Sequence, residues 1–128
     1  SQEAGNDYNR ELIMSGWWVV VDPRTPAERD ASEDRMGPLV ASWEASVMNM
    51  RFLDRLVKEG RAEQHSFNGY PNRFTVQAGA LVPLIIDGPP VEEWGQNTGQ
   101  NYNVTLHRDK LLDLPADHML TVDVWDQS

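Results

Sequence analysis

The sequence predicts an α+β domain, in which a mainly antiparallel sheet of four to five strands packs against one long helix, with a short capped helix before it. The predicted segments follow in the order strand, helix, helix and then three or four strands, and strands gathered after helices favour this class. Apolar residues recur every three or four positions over 38–59 and alternate after position 73, which separates helix from strand. The 128-residue length predicts a single domain over 1–128.

Composition limits the class of protein. A hydrophobic content of 40% with five tryptophans is that of a folded chain. The absence of cysteine excludes disulfides, thiolate metal sites and a cysteine nucleophile. No apolar run approaches the ~20 residues of a membrane helix, so we predict no membrane insertion. Residues 1–9 are small and polar, which predicts a flexible N-terminal segment; a periplasmic or secreted location and a cytoplasmic one are equally compatible with the sequence.

Residues 12–21 predict the first strand, because they combine β-branched and aromatic residues in a short run that Asp22-Pro23 ends. The run is apolar on both faces near its end, so we expect it to be central or covered on both sides. Trp17 and Trp18 are adjacent and must point to opposite faces of the strand.

Thr25 begins the clearest local signal in the chain. Thr at the N-cap, Pro26 at the first helical position and Glu28 three residues after the cap form a capping box. This pattern predicts a short helix over about 26–35, which Gly37-Pro38 ends.

The long helix is predicted over 38–59, ending at Gly60. Its apolar residues form a stripe of helical period, which predicts that the helix packs across the sheet. The stripe consists of Leu39, Trp43, Val47, Met50, Leu53 and Val57.

Residues 65–72 (HSFNGYPN) have the composition of a turn. Residues 74–86 then alternate between apolar and other residues, which predicts a long strand. Within it, Gly79 indicates a bend or bulge, and Pro83 indicates an edge position or a break.

The last third begins with a polar loop over 92–101, rich in Gly, Asn and Gln. Alternating apolar residues predict strands over 102–106 and 120–124. Residues 109–117 between them predict a short helical turn or loop, which Pro115 limits.

Charge is distributed unevenly along the chain. The net charge is −9, and residues 86–128 hold eight acids against only Arg108 and Lys110. Such a field attracts cations or basic surfaces and repels nucleic acid. The eight acids are Asp87, Glu92, Glu93, Asp109, Asp113, Asp117, Asp123 and Asp126.

Catalytic motifs, zinc-ligand spacings and phosphate-binding loops are absent from the sequence, so no cofactor, metal or catalytic residue is predicted. The acidic end instead predicts a non-enzymatic protein-binding domain, a small inhibitor or immunity-type protein that blocks a basic site on a toxin or enzyme. Trp94, in a loop beside two carboxylates, is the expected hot spot. The predicted partner-binding residues are Glu92, Glu93, Trp94, Asp109, Asp113 and Asp117.

Two alternatives remain open on the sequence. A small hydrolase or isomerase would use Asp or Glu with His107 or His118, in a pocket between the long helix and the sheet. A structural subunit of a larger assembly would use the wide apolar face formed by Met48, Phe52 and Leu56 as an oligomer contact.

Overall fold

The computed structural model describes residues 16–94 and 97–127, and the side chains of Trp94, Asn97 and Thr98 lie outside that description. The N-terminal segment predicted over 1–9 and the start of the first predicted strand also lie outside the described residues.

Strands and short helices alternate along the described chain. The strands are β1 (Trp17–Asp22), β2 (Ala41–Ala45), β3 (Ala62–Ser66), β4 (Asn72–Gln77), β5 (Glu93–Trp94), β6 (Asn97–Thr98), β7 (Asn101–Leu106) and β8 (Met119–Asp126). The α-helices are α1 (Pro26–Ala31), α2 (Arg51–Lys58), α3 (Ala78–Ile85) and α4 (Arg108–Asp113), and a 3₁₀ turn (Val47–Met50) leads into α2.

Six strands form one antiparallel sheet in the order β3-β4-β8-β1-β2-β7. The first and last strands of the sequence therefore pair at its centre, with Trp18 opposite Trp125. Strands β5 and β6 pair separately as a two-stranded ribbon. This order joins residues that are far apart in sequence, which matters for the charged groups described below.

One face of the sheet carries the hydrophobic core, which α2, α3 and α4 cover. Alternate residues of the strands point to this face because the side-chain period of a strand is two. Trp43 is fully buried there, and its ring centroid lies 6.5 Å from that of Phe52. The core residues from the strands are Val19, Val21, Ala41, Trp43, Ala45, Phe74, Val76, Leu120, Val122 and Val124.

The opposite face is polar where α1 lies over it. Asp22, Thr121 and Asp123 are fully buried on strands β1 and β8. Arg29 of α1 is also buried and reaches both carboxylates. A helix whose sequence is mostly charged is thus held by ionic contacts rather than by an apolar stripe.

The prediction of one long helix on a four-to-five-stranded sheet is wrong. Residues 41–45 form β2, the sheet has six strands, and the helical segment that follows spans only the 3₁₀ turn and α2, four and eight residues long. A four-residue step such as Trp43 to Val47 also fits strand alternation, in which Ala41, Trp43 and Ala45 share one face. Hydrogen bonding to both β1 and β7 therefore selects the strand over the helix.

The prediction of a strand over 74–86 is also wrong in its second half. Strand β4 ends at Gln77, and the residues that follow form α3, with Pro83 inside the helix. These residues are apolar at nearly every position, so their period does not distinguish a strand from a buried helix.

The shorter predicted elements agree better with the structure. Thr25 accepts a hydrogen bond from the Glu28 amide, and the Glu28 carboxylate accepts one from the Thr25 amide, which is the predicted capping box of α1. Strand β1 lies within the run of β-branched and aromatic residues that predicted it, and strands β7 and β8 lie where alternation predicted them. In the part of the chain that the structure describes, no helix has the length and apolar character to cross a bilayer.

Candidate functional site

A buried ionic network lies between α1 and the sheet. Arg29 donates from Nε to Asp123 Oδ2 at 2.8 Å and from Nη1 to Asp22 Oδ2 at 3.0 Å. Arg24 binds the same Asp22 carboxylate through Nε and Nη2. Burying a charge is costly unless it is paired and hydrogen-bonded, and here each buried carboxylate meets two guanidinium groups.

Arg73 extends this network to the surface. Its Nε and Nη2 donate to the two oxygens of Asp123 at 2.7 and 2.9 Å. Its Nη1 and Nη2 donate to the two oxygens of Asp30 at 2.7 and 2.8 Å. One guanidinium thus makes two bidentate contacts, the geometry for which arginine is suited. We call Asp22, Arg29, Asp30, Arg73 and Asp123 the ionic network.

Hydrogen bonding shifts the pKa values of Asp22, Asp30 and Arg73 in the directions that favour their charged forms. Burial alone would raise the pKa of Asp22, but hydrogen bonds from Arg24 and Arg29 outweigh it and hold the pKa below its ordinary value. Hydrogen bonds from Arg73 lower the pKa of Asp30. In turn, the hydrogen bonds to Asp123 and Asp30 raise the pKa of Arg73.

The ionic network supports the connection between β3 and β4, residues 67–71, which we call the aromatic loop. Phe67 is 76% exposed and Tyr70 is 68% exposed, the two highest values among the large hydrophobic side chains that the structure describes. Arg73 follows the loop by two residues on β4. Exposed aromatic residues on one short loop are typical of contact surfaces.

The polar side chains of the aromatic loop fix its backbone. The Asn68 carboxamide oxygen accepts a hydrogen bond from the Tyr70 amide, and that of Asn72 accepts one from the Gly69 amide, both at 2.8 Å. Gly69 has φ +78°, in the region that favours glycine, and a Cβ there would lie 3.3 Å from the Cβ of Asp126. The turn is therefore specified by its own sequence.

Further hydrogen bonds tie the aromatic loop to the sheet. Ser66 Oγ donates to the Pro71 carbonyl at 2.6 Å and accepts from the Arg73 amide at 3.1 Å. The Asp126 amide of β8 donates to the Gly69 carbonyl at 2.9 Å. The loop thus combines exposed side chains with a restrained backbone.

A shallow pocket of about 490 Å³ lies between the aromatic loop and the end of α1. Arg73 and Asp30 border it together with Tyr70, and Trp125 lines it from β8. His65 and Arg35 complete the charged and polar part of its wall. We call this cavity the loop pocket.

The predicted partner-binding residues fall at different places along the described chain. Glu92 precedes β5 and Glu93 is its first residue, close to the start of β7. Asp109 and Asp113 lie on α4, beyond the end of β7. The six residues of β7 separate the two groups by about 17 Å along the strand. Asp117 follows α4 in the turn before β8.

The two acidic groups also differ in their surroundings. Glu92 forms an ion pair with Arg55, and its amide donates to the Oδ1 of buried Asn49 at 2.8 Å. Glu93 is exposed, and the side chain of Trp94 lies outside the described residues. Asp109, Asp113 and Asp117 are exposed, and no ion pair forms to them within the described chain.

Neither predicted histidine meets a carboxylate. His118 donates from Nε2 to the Pro23 carbonyl at 2.6 Å, which fixes the loop before α1. His107 precedes α4 and is exposed. In residues 16–94 and 97–127, no hydrogen bond or ion pair joins either side chain to Asp or Glu, and no cluster of three or more metal-binding side chains forms.

The apolar face predicted for an oligomer contact belongs to the core. Phe52 and Leu56 are 3% and 2% exposed, because α2 packs them against the sheet. They are therefore covered within the chain and unavailable as an oligomer contact, whereas Met48, the third residue of the predicted face, is partly exposed on the 3₁₀ turn.

Sequence analysis missed both the aromatic loop and the ionic network. Phe67 and Tyr70 were visible as two aromatic residues within a turn-forming segment, which is the one local signal for an exposed contact. The network had no such signal, because Arg29 and Asp123 are 94 positions apart. Comparison of the chain with protein-family models, with curated proteins and with solved structures found no match.

Proposed function

We propose that this protein is a non-enzymatic protein-binding domain, an inhibitor or immunity-type protein that inserts the aromatic loop into a basic cleft of a toxin or enzyme. The observation that carries the proposal is the exposure of Phe67 and Tyr70, at 76% and 68%, on a loop whose backbone is restrained by hydrogen bonds. Aromatic anchors account for much of the binding free energy at protein interfaces.

Restraint of the aromatic loop favours tight binding. A loop that is already ordered loses little conformational entropy when it enters a cleft. Here the Ser66 and Asn68 side chains hold the turn. Asp30 and Asp123 hold Arg73 at the base of the aromatic loop. These contacts support the interpretation that the aromatic loop already has its binding conformation before it meets a partner.

The charge of the chain favours a basic partner. A net charge of −9 creates a long-range field that accelerates association with a positive surface. Asp109, Asp113 and Asp117 are exposed without ion pairs within the described chain, so they contribute to this field. In the proposal they steer the partner, whereas the aromatic loop makes the contact.

Capture from a lysate of the source cells tests the proposal with matched variants. The test compares the wild type with Phe67→Ser/Tyr70→Ser, and with Val104→Ser/Leu112→Ser, in which two other exposed apolar residues change. We expect one dominant partner that the wild type and the control retain and the loop variant loses. Retention by the loop variant, or equal loss in both variants, would contradict the proposal.

Salt dependence supplies the second arm of the test. With the captured partner purified, association rates are measured at roughly 50 mM and 500 mM salt. We expect the association rate to fall at high salt and the dissociation rate to change little. An association rate that does not depend on salt would remove the basic partner from the proposal.

A further inference from the structure

We propose that the loop pocket receives a carboxylate of the bound partner. The inference rests on the proposed function, because the pocket lies beside the aromatic loop and would face the same partner. It adds the chemistry that the partner must present, a single acidic group within a surface that is otherwise basic.

The charge of the loop pocket differs from that of the whole protein. Its wall holds the guanidinium groups of Arg35 and Arg73 against the one carboxylate of Asp30, and the buried Asp123 behind the wall is paired with Arg73. Both Asp30 oxygens already accept hydrogen bonds from Arg73. A second cavity, of about 550 Å³, is lined instead by Glu63 and Asp117 with Arg61.

Hydrogen-bond donors remain available in the loop pocket. A guanidinium has five N–H donors, and Arg73 uses four of them on Asp30 and Asp123. Arg35 is less committed: its side chain is 46% exposed, Nη2 lies 4.0 Å from Asp30 Oδ1, and its contact with the Asp30 carbonyl is long, at 3.4 Å. Arg35 can therefore turn toward an incoming carboxylate.

Aromatic walls make such a contact stronger than one at the open surface. Trp125 is half-buried and Tyr70 is exposed, and both residues line the loop pocket. A partner that covers these rings displaces water, which lowers the local dielectric and strengthens a charge-assisted hydrogen bond. An acidic side chain and a chain-terminal carboxylate offer the same planar, two-oxygen acceptor.

Titration of the isolated protein with small carboxylates tests the inference without the partner. The probes are N-acetylglutamate α-amide for a side-chain carboxylate, N-acetylalanine for a terminal one, and N-acetylglutamine α-amide as the uncharged control. NMR follows the Trp125 indole and the Arg35 and Arg73 Nε–H signals. We expect saturable shifts with at least one carboxylate, weaker by about tenfold or more in Arg35→Gln, and none with the uncharged probe.

Arg61→Gln is the matched control, since its side chain is 51% exposed and lines the other cavity. We expect it to bind the probes as the wild type does. Equal binding by Arg35→Gln, equal shifts with the uncharged probe, or no saturable shift with either carboxylate would overturn the inference. The stronger of the two carboxylates identifies whether a side chain or a chain end is the source.

The outcome is separable from that of the proposed function. Probe binding with no partner captured would support the pocket as a carboxylate site, but would contradict the proposed function and the partner as the source of the carboxylate. A partner that depends on Phe67 and Tyr70, but is bound equally by Arg35→Gln, would support the proposed function and overturn the pocket inference.

Discussion

The aromatic loop and the segment 89–101 are held to the fold by different chemistry. Beneath the aromatic loop, Arg73 joins two carboxylates that lie on other elements, and one of them is fully buried. In the segment 89–101, of which the structure describes 89–94 and 97–101, the buried support is a neutral amide: Asn49 accepts from the Glu92 amide and donates to Asn101 Oδ1. The segment's ion pair, between Glu92 and Arg55, is on the surface, with Arg55 56% exposed. A bidentate ion pair restricts the orientation of both side chains more strictly than the hydrogen bonds of a single neutral amide do.

The two segments also use their charges differently. Glu92 is paired with Arg55, so part of the negative charge that the sequence concentrates there is compensated within the chain. The charges beneath the aromatic loop are nearly all compensated too, yet its aromatic side chains project outward. The comparison shows that a surplus of acidic residues in the sequence does not reveal which side chains are exposed, because the fold decides that.

Removal of Arg29 should cause the largest loss of stability. Arg29→Met leaves Asp123 with Arg73 alone and Asp22 with Arg24 alone, both fully buried, and we expect a loss of about 3–5 kcal/mol in the free energy of unfolding. Urea denaturation measures it. Arg55→Met, which removes only the exposed partner of Glu92, should cost at most about 1 kcal/mol. Similar losses in the two variants would show that the ionic network is not the stronger support.

Removal of the Asn49 amide should have an intermediate effect. Asn49→Ala removes the acceptor of the Glu92 amide and the donor to Asn101 Oδ1, and an unsatisfied buried polar group costs about 1–3 kcal/mol. Hydrogen exchange should show faster exchange of the Glu92 and Gly99 amides, with the Gly69 and Tyr70 amides unchanged. Equal acceleration in both regions would contradict their independent support.

The accuracy of the sequence predictions follows the range of the interactions involved. The capping box of α1 was predicted correctly because Thr25 and Glu28 interact within one turn. Strand β2 was predicted as helix, because the spacing of its apolar residues fits the helix period as well as the strand period. Only its pairing with β1 and β7 selects the strand. The ionic network could not be predicted, because local sequence patterns do not predict the strand order that brings Arg29 to Asp123.

Acid should weaken the ionic network. The folded-state pKa values of Asp22 and Asp30 lie below the ordinary value of 3.8, so their contribution to stability is complete above that pH and is lost as the pH falls below it. The free energy of unfolding should therefore decline below pH 3.8, and less steeply in Asp30→Asn than in the wild type. Urea denaturation at a series of acidic pH values measures both slopes, and identical slopes would refute the assigned role of Asp30.

Changes to the exposed acids should have the smallest effect. Asp109→Asn/Asp113→Asn removes charge far from the aromatic loop, and we expect the association rate with the partner to fall several-fold at low salt. The dissociation rate should stay unchanged, as stopped-flow or surface-based kinetics can show. A faster dissociation would mean that α4 belongs to the contact surface itself.

Site-specific photo-crosslinking tests the central claim most directly. A photoreactive phenylalanine analogue replaces Phe67 in one protein and Glu93 in another, and both are irradiated in a lysate of the source cells. We expect one dominant adduct from position 67, which Tyr70→Ser abolishes, and little or none from position 93. An adduct that forms from position 93 and not from position 67 would contradict the assignment of the aromatic loop as the contact surface.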